Sequence, residues 1–253
     1  MKTISLYTDY RHNNDMLAKR LKDAAADHAR VIRCDADDLM DEGVLAKTDL
    51  LVMPGGADLF YCEKLDGRAN NAIQGFIKDG GHYLGICAGA YYGAQALSWA
   101  ADSPSHCIQG ARELALVKAT AVGPVKDFIQ GGMEESWDGV CPLYHRNGTE
   151  MKAVYRGGCR FEDFDDSGFQ VLASYDRAGS DPAVLKGAYG KGEVILSGPH
   201  IELRGIDYAR LLYRNANPSY DYEAAIIQDM APHDNQINAF WQETVLGLLG
   251  LSK

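Results

Sequence analysis

The sequence predicts an α/β fold built on a mostly parallel sheet with helices on both faces. Three observations carry this reading. Short apolar runs alternate with helix-period segments over the first hundred residues. Pro54-Gly55-Gly56 and Gly80-Gly81 punctuate those runs. A tight Gly85-Ile86-Cys87-Ala88-Gly89 turn ends the strand that begins near Tyr83. Right-handed crossovers would then align the strand C-terminal ends along one edge, where such sheets bind ligands.

Residues 2–8 read as the first strand. Asn13, Asn14 and Asp15 offer cap chemistry, and Met16, Leu17, Leu21 and Ala24 follow at helical spacing. Residues 31–34 and 49–53 read as the next strands. Ala72, Ile73, Phe76 and Ile77 form a helical stripe closed by Gly80-Gly81, and 83–87 is a further strand. Residues 89–99 read as a helix. The second half is more strand-like, with candidates at 114–118, 140–144, 151–155, 169–175, 183–189 and 193–197. Helices are expected over 207–214 and 236–250, with loops or insertions over 100–112 and 215–235. No linker, repeat or low-complexity segment divides the 253 residues, so one domain is expected.

Composition excludes several classes. The net charge is −10 and no basic run is present, which argues against nucleic acid as a partner. Apolar runs such as Leu50-Leu51-Val52-Met53 are too short to span a bilayer. Asp9 and Arg11 interrupt the N-terminus before any long apolar stretch, which argues against a secretory signal. The six cysteines form no C-x-x-C pair, so neither a disulfide framework nor structural zinc is expected. The default setting is a reducing cytoplasm.

The glycine-bracketed turn at Cys87 is the most informative pentapeptide. A side chain on such a strand-to-helix turn stands clear of the sheet edge, with a helix N-terminus behind it that favours negative charge. A free thiol near pKa 8.5 is about 3% ionised at pH 7, and mostly ionised if its pKa falls to about 6. Cys87 is the candidate nucleophile; the competing reading is a structural cysteine between packing glycines. A thiol nucleophile needs a base, and the base needs an orienting group. His200-Ile201-Glu202, just past the strand at 193–197, supplies both. The other histidines lack that company. Backbone N–H groups of Gly55, Gly56 and Ala88 are the candidate oxyanion donors. A plain turn is the competing reading for Pro54-Gly55-Gly56.

These pieces, in this order, resemble the class I glutamine amidotransferase-like superfamily. The stretches 54–61, 81–92 and 118–124 look like the amidotransferase-like N-terminal domain of a class of biotin–protein ligases. Tyr155-Arg156-Gly157-Gly158-Cys159-Arg160-Phe161 resembles its later glycine-rich strand end. The resemblance implies a flavodoxin-like three-layer sandwich with Cys87 as nucleophile, His200 as base and Glu202 as orienter. It does not imply biotin ligation, because no Arg/Gly-rich biotin-adenylate loop is present in the sequence. True glutamine amidotransferases usually carry a glutamine four residues after the cysteine; here Tyr91 stands there, followed by Tyr92. The resemblance thus makes Tyr91, Tyr92, Gly157 and Gly158 candidate substrate contacts, and glutamine itself a doubtful substrate. Ordinary packing is the alternative for both tyrosines.

Other features have plainer readings. Glu162, Asp163, Asp165 and Asp166 lack the spacing of a calcium loop and read as a solvated cluster. Arg156 and Arg160 flank Gly157-Gly158; either could hold a substrate carboxylate, and surface ion pairing is the plainer role. Tyr220 and Tyr222 fall in a polar stretch that suits a lid or a partner surface. Cys34, Cys62, Cys107, Cys141 and Cys159 read as small buried hydrophobes, with a minor redox alternative for Cys62 and Cys159. The expected function is a cytoplasmic thiol hydrolase acting on a small amide-like substrate, with no metal or organic cofactor required. A protein partner or homo-oligomer is compatible with it. The competing function is a metabolite-binding or regulatory module that keeps the fold without turnover.

Overall fold

A computed structural model describes residues 1–9, 14–131, 136–164, 168–214 and 221–251. Five strands form its parallel half: β1 (Lys2–Tyr7), β2 (Ala29–Cys34), β3 (Leu50–Met53), β4 (His82–Ile86) and, from the far end of the chain, Gly192–Ser197. Between β4 and that last strand lie β5 (Ala94–Trp99), β6 (Ile108–Ala111), β7 (Val117–Gly123), β8 (Asp138–His145), β9 (Glu150–Arg156), β10 (Arg160–Glu162), β11 (Phe169–Ser174) and β12 (Pro182–Tyr189). Gly192–Ser197 is therefore β13. The main sheet runs β2-β1-β3-β4-β13-β12-β11-β8-β9, and its four pairings beyond β13 are antiparallel. A second sheet runs β10-β7-β5-β6.

The described helices are α1 (Asn14–Ala25), α2 (Ala36–Met40), α3 (Glu42–Leu45), α4 (Asp58–Leu65), α5 (Arg68–Lys78), α6 (Ala88–Gly93), α7 (Gly205–Arg214), α8 (Asp221–Met230) and α9 (Asp234–Leu248). Strand alternation sorts them onto two faces. Ile4, Leu6, Leu50, Val52, Leu84, Ile86 and Ile195 point to one side and pack with Leu17 and Leu21 of α1, and with Ile237, Trp241 and Val245 of α9. Leu51, Met53, Tyr83, Val194 and Leu196 point to the other and pack with Tyr61 of α4 and Ile73 and Ile77 of α5. A parallel strand covered on both faces must be apolar on both, which is why β3 reads as an unbroken Leu-Leu-Val-Met. Among the described residues no helix is long and apolar enough to cross a membrane.

Three expectations need correction. The 89–99 segment is a helix only to Gly93; Ala94–Trp99 is β5, between β6 and β7. Its Ala, Gln and Leu suit a helix, but its parallel pairing with β7 and antiparallel pairing with β6 override that local preference. The expected loop at 100–112 contains β6, the partner of β5. Within 215–235, residues 221–230 are helical, because Ile226 and Met230 bury one face four residues apart. Asn13, Asp165, Asp166 and Tyr220 lie outside the described residues.

Candidate active site

Pairing between β4 and β13 sets Ile86 beside Ser197, so the turns that follow leave the sheet side by side. The Cys87 N–H donates to the Ser197 carbonyl at 2.8 Å. Cys87 has φ 51° and ψ −106°, a left-handed conformation that costs about 1–3 kcal/mol for a side-chain-bearing residue. Close packing holds it there. The Gly89 N–H donates to the Pro54 carbonyl at 3.1 Å, and a Cβ on Gly89 would collide with the Met53 carbonyl. The Tyr83 hydroxyl donates to the Gly89 carbonyl at 2.8 Å from beneath.

After β13 the chain turns through Gly198-Pro199, and the His200 N–H donates to the Val154 carbonyl of β9 at 2.9 Å. His200 Nδ1 and Glu202 Oε1 are 2.7 Å apart, with both residues buried. The other ring edge faces Gly55 and Cys87. A Cβ on Gly55 would lie 2.7 Å from His200 Cε1, 3.2 Å from Nε2 and 3.4 Å from Cys87 Cβ. Glycine at 55 is thus what lets imidazole and thiol meet over the Pro-Gly-Gly turn. Burial opposes the imidazolium, but the Glu202 charge, hydrogen bonds with Cys87 and Glu202, and the Cys87 charge push the His200 pKa up to about 10.

Arg20 of α1, itself buried, anchors this loop. Its Nε donates to the Glu202 carbonyl at 2.7 Å and a terminal nitrogen donates to Asn238 Oδ1 at 2.8 Å. Its guanidinium also lies 3.4 Å from Asp207, which is fully buried and accepts from Arg204 at 2.7 and 3.0 Å. Burial pushes the Asp207 carboxyl up, and the two arginines bring it below the usual range.

Cys87, His200, Glu202, Gly55 and Gly56 line a cavity of about 230 Å³. The N–H groups of Gly55, Gly56 and Ala88 donate to no other group among the described residues, so all three are unspent. Leu17, Pro54, Leu203 and Trp137 form its apolar wall, and Asp138 with Arg156 its polar one. Neither Trp137 nor Asp138 belongs to a motif visible in the sequence. A hairpin register would have found the latter: pairing Tyr144 with Glu150 carries Asp138 opposite Arg156.

Four candidate contacts are placed elsewhere. Tyr91 is buried against Trp99, and its hydroxyl donates to the Gly157 carbonyl at 3.1 Å. Tyr92 is buried and donates to Asn70 Oδ1 at 2.6 Å. The Gly158 carbonyl accepts from the Tyr155 hydroxyl at 2.7 Å. None of these four lines the cavity. Of the five cysteines expected to be buried, Cys34, Cys141 and Cys159 are, but Cys62 is half-buried and Cys107 is exposed. Burial pushes the thiol of Cys34 up to about 12 and that of Cys62 to about 11, and also raises Cys141 and Cys159.

Comparison with known proteins agrees with this architecture. The family described as "Biotin-protein ligase, N terminal" matches residues 11–253. A biotin–protein ligase of Schizosaccharomyces pombe is 31% identical over 177 residues, which is 66% of this chain and 28% of that protein. An uncharacterized protein of Chlamydia muridarum is 37% identical over 158 residues, 61% of each chain. The chain thus spans under two thirds of either relative's length. Among solved structures, a glutamine amidotransferase from Thermotoga maritima superposes with a TM-score of 0.57 at 12% identity, over 98% of both chains. A cytoplasmic protein of Salmonella typhimurium LT2 gives 0.55 at 15% identity, over 98% of this chain and 99% of that one. With its elbow, its sheet order and this match over nearly its whole length, the chain belongs to the biotin–protein ligase N-terminal family and has the class I glutamine amidotransferase-like, flavodoxin-type fold.

Proposed function

We propose that this chain is a cysteine-nucleophile hydrolase acting on a small amide-like substrate through Cys87, His200 and Glu202. The observation that carries the reading is His200, hydrogen-bonded to Glu202 at 2.7 Å on one side and facing the strained Cys87 on the other, at one cavity wall. The Cys87 sulfur, as thiolate beside the imidazolium, forms a bond to the substrate carbonyl carbon. The N–H groups of Gly55, Gly56 and Ala88 receive the oxyanion. Collapse breaks the C–N bond, and His200 gives its proton to the departing amine. Water, deprotonated by His200, then cleaves the thioester, leaving the acid and the free thiol. Biotin ligation is no part of this proposal. The setting proposed is the cytoplasm, where thiols stay reduced.

Binding without turnover is the second reading. It is favoured by Tyr91, whose hydroxyl is spent on Gly157 in the core, so the position that holds glutamine in true amidotransferases gives no contact to the cavity. Alkylation of Cys87 against pH separates the two, with Cys87→Ala as the background. Hydrolase chemistry requires an accelerated thiol with an apparent pKa well below 8.5 that rises in His200→Ala. A Cys87 no faster than a free thiol and indifferent to His200 sinks the catalytic claim. Ammonia release from a panel of amides, glutamine included, then addresses the substrate.

A further inference from the structure

We infer that the cavity beside Cys87 takes small amides that also carry a carboxylate, and that Arg156 is the group that holds it. This rests on the thiol chemistry proposed above, since it names the substrate class of the same site.

Arg156 ends β9 and faces Asp138 across the β8–β9 hairpin. Its Nε donates to Asp138 Oδ1 at 2.9 Å, while Asp138 Oδ2 accepts from the Tyr208 hydroxyl at 2.8 Å. Both Asp138 oxygens are therefore occupied, and the guanidinium plane is held through Nε. The two terminal nitrogens make no hydrogen bond among the described residues, the side chain is 32% exposed, and the residue is part of the cavity lining. A terminal pair of this kind is the fork that matches a carboxylate bidentately. The backbone carbonyl of the same residue lies 3.6 Å from the Cys87 sulfur, so the fork stands within one side chain's length of the nucleophile. The other charged groups of the cavity are already matched: Glu202 with His200, Asp138 with Arg156. Arg160 is not a rival, because it pairs with Glu162 at 2.9 Å and does not line the cavity.

Size narrows the ligand. The cavity, about 230 Å³, has room for a small ligand only. An amide, a short aliphatic spacer beside Leu17 and Leu203, and a carboxylate fit within it; succinamate is the simplest such molecule.

The test is binding of succinamate and of its neutral isostere succinamide, by NMR titration at constant ionic strength. It is run in Cys87→Ala, so that it does not depend on a reactive thiol. Succinamate is expected to bind about ten- to a hundredfold tighter than succinamide, the worth of hydrogen bonds to a charged group. In Cys87→Ala/Arg156→Gln/Asp138→Asn, which removes both charges and strands neither, that preference disappears. In Cys87→Ala/Arg156→Lys, which keeps the charge but not the fork, it shrinks; thermal melts confirm that each variant is folded. Equal affinities, no binding of succinamate, or a preference that survives at Arg156→Gln overturns the inference. Alkylation of wild-type Cys87 is scored separately. A carboxylate preference with an unaccelerated thiol refutes the hydrolase and leaves the anion site, and the reverse outcome refutes only the anion site.

Discussion

Glu202→Gln isolates the charge that sets the state of His200. The glutamine oxygen can still accept from Nδ1, now 2.7 Å from Glu202 Oε1, so shape and hydrogen bond are kept and only the charge is lost. The pKa of His200 is about 10, and among the causes that raise it against burial the Glu202 charge stands first. Against an unfolded value near 6.5, that is a preference for the imidazolium of about 4 kcal/mol at pH 7. The folded pKa is the higher one, so this stability is fully present below about pH 6.5 and is lost as the pH rises through about 10. An opposite charge at contact is worth about 1–3 pH units. In Glu202→Gln the imidazole resonance should therefore titrate lower by that amount, and the alkaline loss of stability should begin at correspondingly lower pH. Alkylation of Cys87 at pH 7 should slow by no more than about twofold, because a His200 pKa lowered by that amount from about 10 leaves half or more of the imidazole protonated. Histidine NMR titration and denaturant melts from pH 6 to 11 read this directly. A His200 titration unchanged by the substitution, or stability profiles that superimpose, would refute the reasoning.

Three further perturbations probe the surroundings. Gly55→Ala puts a methyl 2.7 Å from His200 Cε1; the ring must shift, and Cys87 alkylation should lose about tenfold or more while the melting temperature moves little. Arg20→Met strips the Glu202 carbonyl and Asp207 of a buried donor. Arg204 still pairs with Asp207, so urea unfolding should show the lower end of the usual cost, about 3 kcal/mol. Tyr91→Phe leaves the Gly157 carbonyl without its 3.1 Å donor. That should cost about 1–2 kcal/mol without changing Cys87 kinetics; a large kinetic effect would mean that Tyr91 reaches the substrate.

Much of this molecule is legible in one dimension because its cause is local. The Cys87 turn needs a glycine two residues before and two after, and that spacing is visible without any partner. Strands buried on both faces leave short apolar runs at β3, β4 and β13, so these strands and their loop-bearing ends can be located. Once those ends share an edge, Cys87 and His200-Ile201-Glu202 become neighbours by topology. What the reading lacks comes from pairing at a distance. Residues 94–99 have helix-forming composition and become β5 because β6 and β7 offer ladder partners on both sides. Tyr91 and Tyr92 look the same from sequence whether they face a substrate or the core; the second sheet, with Trp99 and the Gly157 carbonyl, decides for the core. Arg156 looks like a surface cation until the hairpin register sets Asp138 opposite it and places the residue in the cavity lining. The order of apolar runs and glycines along the chain carries the parallel half of the α/β framework and the positions of the Cys87 turn and of His200-Ile201-Glu202. Which polar groups surround them follows from the fold, because hydrogen-bond partners and burial depend on segments far apart in the chain.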